Sequence, residues 1–165
     1  MNQFARLPLE TNSKQLMKTI LAATLAIFSM ALPRQAQAQF TVDDLTQAAG
    51  EGNQNRVIAI LDSGVDLNAK DSKGWYPISK AAAHGQTRII ALLTTRRANI
   101  NVMTTRRNTP LLFAASRGHE SAVRFLLNAG ANSFIANVDR ELPESIARQK
   151  GYPQIADLIH EFQRR

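Results

Sequence analysis

The chain has 165 residues, with 20 Lys+Arg against 13 Asp+Glu, a formal charge of +7 and no cysteine. At 44% apolar and 20% charged residues, it has the composition of a folded domain with a continuous core, which excludes a disordered tail or a collagen-like chain. The missing cysteines exclude a disulfide scaffold, a thiolate metal site, a cysteine nucleophile and a lipid-modified N-terminal cysteine.

The first element in chain order is a processing segment. Lys14 and Lys18 precede Thr19 to Leu32, an apolar run of 14 residues without a charge, and Ala36-Gln37-Ala38 follows it. A positive start, a short apolar run and a small-x-small end predict a secretory signal peptide over residues 1–38, cleaved after Ala38. The run is too short for a membrane span, which needs about 20 apolar residues. No Arg-Arg pair precedes it, so general secretion is expected rather than a twin-arginine route. Met17 opens a compact signal peptide of its own, so residues 1–16 are read as lying ahead of the true start. Without residues 1–38 the excess of basic over acidic residues shrinks to four. That is a weak signal for nucleic acid, which an exported protein seldom meets.

From residue 41 onward the chain repeats. Gly52, Gly85, Gly118 and Gly151 are spaced by 33 residues, and so are Pro77, Pro110 and Pro143. Ala48, Ala81, Ala114 and Ala147 keep the interval, as do Ile60, Leu93, Leu126 and Ile159. Such self-similarity marks a stacked repeat architecture.

One unit explains what the period builds. Thr109 is predicted to cap a helix that Pro110 opens, with Leu111, Ala114 and Ala115 as a narrow apolar face. Gly118 ends that helix, and a second begins near Glu120, burying Val123, Phe125, Leu126 and Leu127. Gly130 suits a left-handed C-terminal position. Helices this short bury too little surface alone and need stacked neighbours.

The segments DSKGWYPISKAAAHG and TTRRNTPLLFAASRG, followed by ALLTTRRANIN and FLLNAGANS, resemble the ankyrin repeat pattern D-x-x-G-x-T-P-L-H-x-A-A-x-x-G. A degenerate first copy and a polar last copy flank them, giving about four repeats near 41–70, 71–103, 104–136 and 137–165. The resemblance implies an all-α solenoid of helix-turn-helix units joined by hairpin-like loops. Ser79 and Leu112 stand where that family has histidine, so the usual turn-linking hydrogen bond is missing from both inner repeats. Arg97 stands where Gly64 and Gly130 stand, in a position expected to be left-handed, and the second repeat is expected to be the looser of the two.

No catalytic constellation is found. His84, His119 and His160 occupy different repeat positions and are expected at surface helix ends rather than on a metal. Asp43-Asp44 reads as a charged first helical turn, and Asp66 and Asp71 as turn residues. No catalytic residue, metal or cofactor is assigned, and no enzymatic activity is expected.

The resemblance places a partner on the concave surface, made of hairpin tips and first helices. Carried over position by position, this gives Lys70, Ser72, Lys73, Trp75 and His84, then Met103, Thr105, Arg106, Asn108 and Arg117, then Gln149 and Lys150. Trp75, the only tryptophan, falls on a tip position expected to be exposed, and Trp and Arg dominate binding energies. The alternative is that it folds back on Tyr76. Arg96, Arg97, Arg106 and Arg107 flank one connecting hairpin and predict a basic edge, suited to an acidic protein surface. A phospholipid headgroup could use the same edge, but nothing amphipathic supports insertion. The expected protein is a monomer that binds another protein in the periplasm or outside the cell. It either supports or protects a partner in the cell envelope, or acts as an immunity-type inhibitor of a toxin or an effector on host proteins.

Overall fold

The structure, a computed structural model, describes residues 40–164; the signal peptide expected over residues 1–38 lies outside them. Among these residues four helix pairs follow one another: α1 (Val42–Glu51) and α2 (Gln54–Asp62), α3 (Pro77–Ala83) and α4 (Thr87–Thr95), α5 (Pro110–Ser116) and α6 (Glu120–Asn128), α7 (Pro143–Gln149) and α8 (Pro153–Gln163). Each first helix after α1 begins at a proline of the 33-residue series, where the missing N–H is no loss. Thr109 Oγ1 caps α5 by accepting the Leu112 N–H at 3.2 Å.

α1 starts differently. Thr41 accepts the Asp44 N–H through its hydroxyl, and the Asp44 carboxylate accepts the Thr41 N–H at 3.0 Å and its hydroxyl at 2.8 Å. This reciprocal box replaces the hairpin that precedes the later first helices. Arg56 of α2 adds an ion pair to the same carboxylate at 3.0 Å, tying the first pair together.

α1 packs on α3, α3 on α5 and α5 on α7, while α2, α4, α6 and α8 form the second layer. Ala48, Ala81, Ala114 and Ala147 are fully buried in the first layer, where a small side chain lets backbones approach. Ile60, Leu93, Leu126 and Ile159 are fully buried in the second. Val123, Leu126 and Leu127 form the buried stripe of α6, but Phe125 is only half-buried at its edge.

Polar side chains repeat the same period between the pairs. Asp66, Asn99 and Asn132 each accept the N–H two residues on, at 2.8, 2.9 and 2.8 Å. Asn68 and Asn101 then reach the next repeat, accepting the N–H of Asn99 and of Asn132, both at 2.8 Å. Phe134 occupies the corresponding place in the following copy, 66% exposed, so the ladder ends there.

The left-handed positions hold arginines as well as glycines. Gly64 and Gly130 have φ of 91° and 90°, and Arg97 takes the same region at 66°. At the hairpin tips Gly74 is left-handed at 81°, and Arg107 and Arg140, its equivalents, follow at 59° and 63°. Sequence reasoning anticipated the first arginine and missed the other two.

Candidate partner-binding face

Three hairpin tips share one construction. Asp71, Thr104 and Asn137 donate their N–H to the carbonyls of Trp75, Asn108 and Glu141 at 2.8, 3.1 and 3.1 Å. Asp71 Oδ1 also accepts the N–H of Lys73 and Trp75, and Asn137 Oδ1 those of Asp139 and Glu141. Successive tips are joined: Val138 donates its N–H to the Arg106 carbonyl at 3.1 Å, and Arg106 pairs with Asp139 at 2.8 Å.

The aromatic residue at the first tip is not exposed as the sequence suggested. Trp75 is half-buried, its ring 4.7 Å from that of Phe113 on α5 and tilted 35° to it. The Lys80 ammonium of α3 lies 5.0 Å over the Trp75 ring. Tyr76, the neighbour on which Trp75 was alternatively expected to fold, instead carries the Lys70 ammonium at 5.4 Å. Lys80 and Phe113 are 33 residues apart, so they occupy one repeat position facing the tips; sequence reasoning missed both, although the period marks them.

At the C-terminal ends of the first helices a second group assembles. Arg117 Nη1 donates to the Ala83 carbonyl at 3.0 Å, and His119 Nε2 lies 3.1 Å from the same oxygen. A carbonyl only accepts, so Nε2 carries the proton. His84, at the end of α3, is held below the ordinary histidine value first by partial desolvation of its ring beside Gly50 and then by Lys80, Arg117 and His119. His119 is near enough to contribute to the lowering at His84, while His160 lies beside Glu144 at 3.6 Å. Among the described residues no group of His, Cys, Asp and Glu is arranged to hold a metal.

The fold agrees with the repeat pattern, and residues 45–160 match the family model for ankyrin repeats (3 copies). The chain belongs to the ankyrin repeat family. Ankyrin repeats are protein–protein interaction modules. No curated protein matches this chain.

Measured against that ankyrin stack, the candidate residues divide. Lys73, Met103, Thr105, Gln149 and Lys150 are exposed, Met103 at 40%. Ser72 is exposed but committed: its N–H and hydroxyl bind the Asp43 carboxylate and join the first two ankyrin repeats. Asn108 is half-buried, with Oδ1 enclosed and unpartnered. On the basic edge, Arg96 pairs with Asp62 at 3.0 Å and Arg106 with Asp139, which leaves the edge less positive than four arginines imply. Arg107 Nε reaches the Ala136 carbonyl at 3.4 Å. Arg97 and Arg107 enter no ion pair among the described residues.

Proposed function

We propose that this ankyrin repeat chain is exported and acts in the periplasm or outside the cell as a non-catalytic binding module. It holds a partner protein with an acidic surface and supports or protects it in the cell envelope. The observation that carries this reading is the run of exposed tip and helix-end side chains from Lys73 to Lys150, which the packing of the stack does not consume. Export rests on the charge, apolar run and Ala36-Gln37-Ala38 of the N-terminal segment. The module works as a monomer. Among the described residues no helix is long and apolar enough to cross a membrane.

The test is site-specific photo-crosslinking in intact cells. A photoreactive residue in place of Met103 or Gln149 should trap a protein that the same residue in place of Ser121, on α6, does not. Intact-mass measurement of the extracellular or periplasmic form should give an N-terminus at Gln39. Equal trapping from all three positions, or a mass retaining residues 19–32, would overturn the reading.

A further inference from the structure

We propose that Lys80, His84 and Arg117, with the Trp75–Phe113 pair beside them, receive a carboxylate-rich segment of the partner protein. The inference rests on the concave-face reading and adds the chemistry of what is bound there.

The three groups form one surface. The backbone of Gly50 lies directly beneath Lys80 and His84: a Cβ there would be 3.0 Å from Lys80 Cγ and 3.7 Å from His84 Cδ2. Arg117 is anchored on the Ala83 carbonyl, one residue before His84. Phe113 and Arg117 come from one helix and its C-terminal cap, so the aromatic pair and the cations are held by α3 and α5 together.

Their charge is left over by the fold. Every ion pair among the described residues lies elsewhere. The carboxylates of the neighbouring segments are occupied: Asp43 by Ser72, Asp71 by the N–H groups of Lys73 and Trp75, and Glu51 by the Gln47 amide at 2.8 Å. A ligand bringing its own carboxylates meets complementary charge, and the indole and phenyl faces accept the aliphatic parts of its side chains.

His84 gives the interaction a pH dependence. The groups facing it are Lys80 on its own helix, Arg117 at the end of α5, His119 at the start of α6, and from α1 the Gly50 backbone with Glu51 next in the chain. Docked carboxylates counter the Lys80 and Arg117 charges and raise the imidazole's affinity for a proton. Binding therefore takes up a proton and tightens as pH falls through the histidine range.

Trp75 is the only tryptophan, so its fluorescence reads this face directly. N-acetyl-hexaglutamate titrated into the full chain should give a saturable change that hexaglutamine does not. Kd should rise by about tenfold between low and physiological salt, as screening predicts. Lys80→Gln with Arg117→Gln should raise Kd about tenfold or more, whereas Arg88→Gln with Arg124→Gln, exposed on the second-layer helices α4 and α6, should stay within about twofold. His84→Gln should keep binding at neutral pH and abolish its tightening on acidification. No saturable response, or equal weakening by the second-layer variant, overturns the proposal. If hexaglutamate fails while crosslinks from Met103 and Gln149 persist, the acidic ligand falls and the concave-face reading stands. Loss of the crosslinks as well removes that reading.

Discussion

The imidazole of His119 rests on Gly85: a Cβ built on that glycine would lie 2.7 Å from Nδ1. The relation recurs, with Gln86 over Gly52 and Tyr152 over Gly118, where the nearest ring carbon would be 2.5 Å away. The repeating glycine is therefore required twice, for its left-handed φ of 68° at Gly85 and for the side chain of the next repeat pressed on it. Gly64 separates the two demands, having φ of 91° and nothing within 4 Å. Gly64→Ala should cost about 1 kcal/mol from backbone strain. Gly85→Ala should lose roughly 1–3 kcal/mol more from overpacking. Equal denaturant midpoints for the two variants would refute the packing role of His119.

Leu126 is fully buried in the second layer, with α6 between α4 and α8. Leu126→Ala should destabilise by roughly 2–5 kcal/mol through lost burial and the cavity left behind. Denaturant unfolding checks this, and an unchanged midpoint would place the residue outside the core.

Arg107 and Arg140 hold a backbone conformation that their side chains disfavour, at exposed tips. Arg107→Gly and Arg140→Gly should each stabilise the protein by up to about 1 kcal/mol, offset in part by the flexibility of glycine in the unfolded chain. Arg107→Gly loses only a 3.4 Å bond to the Ala136 carbonyl at the exposed tip. A lower melting temperature in both variants would show that these arginines stabilise the tips.

Ser79 and Thr109 contrast two buried hydroxyls. Thr109 Oγ1 accepts the Leu112 N–H, so Thr109→Ala should cost about 0.5–2 kcal/mol as a lost helix cap. Ser79 is fully buried and its hydroxyl has no partner. Removing an unsatisfied group relieves its desolvation, so Ser79→Ala should be neutral or stabilising by about 1 kcal/mol. Thermal unfolding of the two variants side by side tests the difference in sign.

Hydrogen bonds from the Thr41 N–H and hydroxyl, then the Arg56 guanidinium, hold the Asp44 carboxyl below its ordinary value of 3.8. A depressed folded-state value means that its contribution is present above the unfolded value and lost as pH falls through the folded one. Asp44→Asn should therefore lower stability at neutral pH and flatten its decline below about pH 4. Parallel acid unfolding curves for the variant and the parent chain would exclude this role.

The sequence by itself determined the stack. Glycine, proline, alanine and aliphatic residues recurring every 33 positions prescribe where helices start, stop and touch, because those roles are local or repeat identically in each copy. The same logic located the left-handed Arg97, since two glycines marked its position. It did not reveal Arg107 and Arg140, because only Gly74 marks their place among three tips. The binding face was legible as a set of positions and not as a set of contacts. Trp75 meets Phe113 and Lys80, Arg117 and His119 converge on Ala83, and Arg96 and Arg106 lose their free charge to Asp62 and Asp139. The period marks positions such as those of Lys80 and Phe113, but each contact depends on side chains that differ between copies, so the period does not prescribe it. Only the stacking of one repeat on the next brings such residues within reach, and the tertiary structure alone decides which charges remain for a partner.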